Sequence, residues 1–97
     1  MRVHKFTFDL PVYQTDAVPL KPTVVRYPLG GDILTGGIDE YSGKPCLWIL
    51  VDAEEKEMDG ISVVVAPTGV EVQDEYSYLS TFKTNGGMLV WHMFIRD

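Results

Sequence analysis

Apolar and polar residues alternate with a period of two through much of this sequence, a pattern that is typical of β-strands. The first example is residues 3–10, where aromatic and aliphatic side chains alternate with Lys5, Thr7 and Asp9. Pro11 ends the alternation, since proline lacks the N–H that a strand ladder needs. We therefore predict a first strand over residues 3–10.

Short apolar segments separated by turn residues continue along the chain. The predicted strands cover residues 32–41, 46–52 and 61–66, with shorter ones at 18–20 and 70–72. Residues 21–29 form an extended but irregular stretch with room for one short strand. Residues 52–60 contain five acids, which favours a solvated loop. Short strands at this spacing are typical of a compact sandwich or barrel.

Two of the middle segments carry further information. Gly36-Gly37 lies inside a predicted strand, which indicates a bulge or a close approach of the backbone to another group. Residues 46–52 are apolar on both faces, so we predict a central strand that is covered on both sides, with Trp48 in the core.

The last twenty residues predict a β-hairpin, because two β-prone runs flank Asn85-Gly86-Gly87. Alternation places Trp91 and His92 on opposite faces of the last strand. Both faces of that strand are apolar, so both have to be covered, either by a two-layer core or by a subunit interface; we favour the interface. On the other strand, strict alternation assigns the residues to two faces: Tyr78, Ser80 and Phe82 on one, and Leu79, Thr81 and Lys83 on the other.

Together these elements predict a single all-β domain over residues 1–97. Its fold class is a compact antiparallel sandwich or small barrel with a C-terminal β-hairpin. A domain this short buries only about 60–68% of the surface that its unfolded chain exposes. Self-association would add stability, so we expect a homo-oligomer.

Charge and cysteine content narrow the function classes. The net charge of −6 disfavours binding to nucleic acid or to an anionic membrane surface. The sequence contains no apolar run long enough to span a membrane and no recognisable signal peptide, so we expect a soluble cytoplasmic protein. Cys46 is the only cysteine, and its apolar surroundings favour a buried, unreactive thiol.

No catalytic or metal-binding motif is present. His4 and His92 are the only histidines, and no HExxH, CxxC, nucleophile-elbow or phosphate-loop pattern occurs. Pairing of the terminal strands would bring the two histidines together, but a metal site would still need a carboxylate. We expect no metal, no cofactor and no enzymatic activity; a small phosphodiesterase using His4 or His92 is the weakest alternative.

The sequence is similar to a family of short phage and prophage proteins of unknown function. The similarity rests on residues 4–10, 45–52, 65–69 and 78–94, above all on Cys46-Leu47-Trp48 and on the ending Thr-Phe…Gly-Gly…Val-Trp-His-x-Phe. The sequence differs in having Pro67-Thr68-Gly69 where the family has Gly-Thr-Gly, and in extra length between Leu10 and Ile33. The resemblance implies a phage origin and an all-β fold, and it implies no activity.

Phage context favours a binding protein in the cytoplasm of the host cell, by analogy alone. One such class sequesters nucleotide-derived immune signals, for example cyclic ADP-ribose, in pockets between subunits. Aromatic rings for a base, hydroxyls for a ribose and cations or a glycine turn for phosphate are available here. The candidate ligand-binding residues are Trp91, His92, Tyr78, Thr81, Lys83, Thr68, Gly69 and Arg26.

Two other interpretations of these residues remain. The aromatic and hydroxyl side chains of the hairpin also suit ordinary cross-strand packing with a polar outer face. The whole protein could equally be an interaction protein that blocks a host protein or serves in the virion, with its acidic surface mimicking an anionic partner.

Overall fold

The computed structural model describes residues 1–9 and 20–97, and over these residues the fold is all-β. The described residues form seven strands, in this order: β1 (Arg2–Thr7), β2 (Thr23–Pro28), β3 (Asp32–Ile38), β4 (Pro45–Val51), β5 (Met58–Pro67), β6 (Ser77–Thr84) and β7 (Leu89–Arg96). A 3-10 turn, Asn85–Gly87, joins β6 to β7, so the predicted C-terminal hairpin is confirmed.

The strands form two antiparallel sheets. The three-stranded sheet has the order β1-β4-β3, and the four-stranded sheet has the order β2-β5-β7-β6. The sheets pack against each other and do not close into a barrel, so the sandwich is the correct one of the two predicted forms. β1 and β7 lie in different sheets, and the suggested pairing of the terminal strands, which would have joined His4 to His92, is wrong.

The core lies between the sheets and follows from alternation along the central strands. Leu47, Ile49 and Val51 on β4 point inward and are fully buried, and Val63 on β5 and Met93 on β7 meet them from the other sheet. Burial of each such side chain contributes about 1.5–3 kcal/mol relative to exposure.

The sheets approach closely at Gly36 on β3. A Cβ built there would overlap the sulfur of Met93, and it would lie 3.2 Å from Cδ2 of Leu79. The register of β3 against β4 also shifts between Ile33 and Thr35, which marks a bulge at Leu34. The close approach that Gly36-Gly37 predicted is therefore present, whereas the bulge is at Leu34 and the two glycines pair regularly with β4.

The outer face of the four-stranded sheet is partly covered by residues 70–76. Val64 and Ala66 of β5 form a second buried cluster with Leu20 beneath this segment. The hydroxyl groups of Tyr76 and Ser62 lie 2.8 Å apart and tie the segment to the sheet. The strand predicted at 70–72 is wrong, because this segment packs through its side chains and forms no ladder.

Two other expectations change. Trp48 lies on the outer face of β4, half-buried, with its ring 3.2 Å from the position of a Cβ on Gly37, and it is outside the core. β5 begins at Met58, inside the segment predicted as a loop. The extended stretch at 21–29 contains one short strand, β2, for which the prediction left room.

The short strand predicted at 18–20 lies outside the described residues except for Leu20, which is in no strand. No helix among the residues that the structure describes has the length and apolar character to cross a membrane.

Candidate functional site

The candidate site begins with an irregularity in β6. The register of β6 against β7 shifts between Tyr78 and Ser80, so Leu79 is an extra residue on β6. Such a bulge breaks the alternation of side chains. Tyr78 and Thr81 therefore share the outer face of the four-stranded sheet, whereas strict alternation had assigned them to opposite faces.

Four polar side chains form a continuous hydrogen-bonded row on this outer face. Tyr78 Oη lies 2.8 Å from Thr81 Oγ1, and Thr81 Oγ1 lies 3.0 Å from Nδ1 of His92. On the other side of the ring, Nε2 of His92 lies 2.8 Å from Thr68 Oγ1. We call these four residues the hydroxyl–imidazole network.

The network joins three parts of the fold. Thr81 on β6 is the direct cross-strand partner of His92 on β7, and His92 is in turn opposite Ala66 on β5. Thr68 follows β5 in a turn in which Val70 N–H donates to the Pro67 carbonyl. Gly69 in this turn has φ of 93°, a conformation that residues with a side chain rarely adopt.

His92 is held at both ring nitrogens by hydroxyl groups. A neutral imidazole donates from one nitrogen and accepts at the other, so one threonine accepts while the other donates. A protonated ring would donate to both threonines. In either state the ring is fixed in place, and the groups that face solvent are hydroxyls with unused hydrogen-bonding capacity.

The face around the network also contains aromatic and cationic groups. Tyr78 is 60% exposed, and its ring makes an edge contact with Phe94 at 5.7 Å between ring centroids. Phe94 was not among the site residues predicted from the sequence. It is directly opposite Tyr78 in the ladder, so the correct register of the hairpin would have identified it. Lys83 is exposed on the same face, two residues or about 7 Å along β6 from Thr81.

Two predicted site residues lie elsewhere. Trp91 points into the sandwich, packs against the core cluster and donates from Nε1 to Thr84 Oγ1 at 2.9 Å. Arg26 is on β2 opposite Gly60, whereas His92 is opposite Ala66, six residues or about 20 Å farther along β5. The structure thus gathers Tyr78, Thr81, His92 and Thr68, with Gly69 and Lys83 beside them, and separates Trp91 and Arg26 from them.

A second polar cluster surrounds Asp39, after β3. Its carboxylate accepts hydrogen bonds from Lys5 Nζ at 2.9 Å, from Ser42 Oγ at 2.8 Å and from Tyr41 N–H at 3.3 Å. The hydrogen bond from Lys5, followed by that from Ser42, lowers the pKa of Asp39 to about 2. This cluster fixes the β3–β4 turn to β1.

Metal ligands do not converge in the described part of the chain: no group of three His, Cys, Asp or Glu side chains there is placed to hold an ion. Cys46 is fully buried on the central strand β4. Burial raises the pKa of its thiol and keeps it protonated.

Comparison with known proteins gives a family. A family model described as a domain of unknown function, DUF7352, matches residues 1–97. The chain belongs to this family. No curated protein and no solved structure matches it. Because the DUF7352 description gives no activity, the function of the chain has to be argued from its own site.

Proposed function

We propose that this is a non-enzymatic binding protein that holds a small nucleotide-derived ligand on the outer face of the four-stranded sheet. The observation that carries the proposal is the hydroxyl–imidazole network, which joins Tyr78, Thr81, His92 and Thr68 within hydrogen-bond distance. Pre-positioned hydroxyls suit a ribose, whose own hydroxyls both donate and accept.

The neighbouring groups supply the rest of a nucleotide-binding surface. The exposed ring of Tyr78, held by its edge contact with Phe94, offers an apolar surface for a base. Lys83 offers a cation for phosphate, and the Gly69 turn lets a ligand approach the backbone closely.

Binding suits this network better than catalysis. Both nitrogens of His92 are engaged by neutral hydroxyls, which fixes the ring as part of a surface. A general base for a hydroxyl nucleophile is usually oriented by a carboxylate on its second nitrogen, and here Thr68 occupies that position.

A small ligand is normally enclosed on most sides. The network lies on an exposed face, so binding of the ligand would bring a second copy of the chain over it as the opposing wall of a homo-oligomer. The biological role we propose is that of a phage protein in the host cytoplasm that sequesters an immune signal such as cyclic ADP-ribose.

Thermal unfolding with a ligand panel tests the proposal. Cyclic dinucleotides, cyclic ADP-ribose isomers and ADP-ribose conjugates would each be added to the wild-type protein and to Thr81→Val. A ligand at about 100 times its dissociation constant adds about 2.7 kcal/mol, or more than about 5 °C for a domain of this size. One class should shift the wild-type protein and leave Thr81→Val unshifted.

Thr35→Val is the matched control, because Thr35 is an exposed strand threonine on the three-stranded sheet. It should respond to the ligand as the wild-type protein does. If no nucleotide shifts the wild-type protein, or if both variants respond equally, the proposed ligand or its site is wrong.

A second candidate function is that of an interaction protein that blocks a host protein or serves in the virion. It is favoured by the acidic segment 52–59, where Asp52, Glu54, Glu57 and Asp59 are exposed. Changing these four acids to amides should abolish capture of one stoichiometric partner from host lysate. Unchanged capture, or none by the wild-type protein, would remove this candidate.

A further inference from the structure

β1 is the most exposed strand of the sandwich. Residues 2 to 5 are exposed throughout, and only Phe6 is half-buried. By register, Arg2 and His4 are on the core-facing side, opposite Val51 and Ile49. These two side chains are nevertheless exposed, which indicates that the four-stranded sheet does not extend beneath them.

Among the residues that the structure describes, β1 pairs with β4 alone, so its other side carries a row of backbone donors and acceptors at the sheet edge. Such an edge is a template for pairing with another strand. The other three edge strands each contain a feature that disfavours pairing. β3 and β6 contain bulges at Leu34 and Leu79, and β2 ends in Pro28. β1 is regular over all six residues.

We propose that β1 is the edge through which two copies of this chain pair as antiparallel strands, joining their three-stranded sheets into one six-stranded sheet. This inference does not depend on the proposed ligand, because β1 and the hydroxyl–imidazole network lie on different sheets. In a two-fold symmetric dimer the pairing is reciprocal. If one residue of the first copy faces a given position of the second copy, the same two positions also face each other with the copies exchanged.

The side chains of β1 select one register for this pairing. Pairing centred on His4 sets Arg2 opposite Phe6 of the second copy, where a guanidinium can lie against the ring. It also sets Val3 opposite the aliphatic part of Lys5 of the second copy. Pairing centred on Lys5 would put two cations opposite each other, which is destabilising.

Replacing Val3 by residues of opposite charge tests this register. Val3 is 51% exposed, so both Val3→Glu and Val3→Lys are compatible with the folded monomer. In the absence of ligand, sedimentation equilibrium at micromolar concentrations should give the wild-type protein twice the monomer mass of 10.9 kDa. Asp39 takes one of the three donors of Lys5 Nζ, so Val3→Glu should remain dimeric opposite Lys5 of the second copy, while Val3→Lys should be monomeric.

A cross-link provides the independent measurement. In this register the two His4 Cα atoms are about 4.5–5.5 Å apart, within the range of about 4.4–6.8 Å for a disulfide. His4→Cys should therefore form a reducible dimer under mild oxidation. Thr35→Cys is the control, because Thr35 is exposed on β3, and two β3 strands would lie five strand spacings, or about 24 Å, apart in the six-stranded sheet.

Three results would overturn the proposal. The first is a monomeric wild-type protein, which would leave this edge to another protein or to solvent. The second is equal masses for Val3→Glu and Val3→Lys, and the third is equal cross-linking of His4→Cys and Thr35→Cys. A wild-type protein that no nucleotide shifts, or a Thr81→Val variant that responds as wild type does, bears only on the proposed function, so the two failures can be told apart.

Discussion

Thr81 and His92 face each other directly across the β6–β7 ladder, with the hydroxyl oxygen 3.0 Å from the ring nitrogen Nδ1. The distance between these two atoms is short because residues opposite each other in an antiparallel ladder have neighbouring side chains on the same face. Thr81 holds the imidazole from one side while Thr68 holds it from the other.

Thr81→Val should loosen this ring without disturbing the core. We expect the free energy of unfolding to fall by about 1–2 kcal/mol, because the change removes two exposed hydrogen bonds, to Tyr78 and to His92, each of which contributes about 0.5–1.5 kcal/mol. Nitrogen NMR of the His92 ring should show a changed Nδ1 shift. Thr35→Val should leave both quantities near their wild-type values, and an unchanged ring signal in Thr81→Val would contradict the hydrogen bond.

Gly36→Ala should be strongly destabilising because the new methyl group would overlap the Met93 sulfur. Overpacking of this kind costs about 1–3 kcal/mol. Gly37→Ala is the control, since its Cβ would meet only the half-buried ring of Trp48, at 3.2 Å. Urea unfolding should give Gly36→Ala a clearly lower free energy of unfolding than Gly37→Ala.

A double variant identifies the cause of that loss. Met93→Ala removes the side chain that a Cβ on Gly36 would strike. Neighbouring sites in a packed core are not additive. Gly36→Ala combined with Met93→Ala should therefore lose less stability than the sum of the two single changes, and strict additivity would show that the strain arises elsewhere.

Acid should remove the stability that Asp39 contributes. Its pKa is lowered to about 2, chiefly by the hydrogen bond from Lys5, below the ordinary value of 3.8. The contribution is therefore complete above about pH 4 and is lost as the pH falls through about 2. Asp39→Asn should be less stable than wild type at neutral pH, and the two unfolding curves should converge toward pH 2. A gap that stays constant with pH would exclude this origin.

Cys46 should be unreactive in the folded protein. The residue is fully buried, and burial raises the pKa of its thiol. A maleimide at pH 8 should leave the native protein unmodified by mass spectrometry and label it only after unfolding in urea. Thr35→Cys, with an exposed thiol on strand β3, should gain one label in the native state. Rapid native labelling of Cys46 would contradict its position in the sheet.

The strands could be predicted from the sequence where local rules act alone. Alternation marked β1, an apolar run marked β4, and Asn85-Gly86-Gly87 marked the hairpin that carries Thr81 opposite His92. The close approach at Gly36 was also predicted, because glycine weakens a strand and often occurs where another group comes close to the backbone.

What could not be predicted depends on partners distant in sequence. Trp48 was predicted to be a core residue. Its neighbour Leu47 faces the core, and because side chains alternate along a strand, Trp48 lies on the outer face of the three-stranded sheet. Trp91 and Arg26 were predicted from the sequence as ligand-binding residues. Trp91 is on the same strand as His92 but faces the opposite side of the sheet, and Arg26 is on a different strand, β2. Sheet order carries that information, and single-strand patterns do not.

The bulge at Leu79 has a consequence for the comparison of DUF7352 relatives. One inserted residue decides whether position 78 faces solvent or the core, so the spacing between Tyr78 and Thr81 carries as much meaning as their chemical types. A relative with both residues but one fewer between them would present a different outer surface. Alignments that absorb this insertion as a neutral gap would group proteins whose exposed faces are chemically unlike.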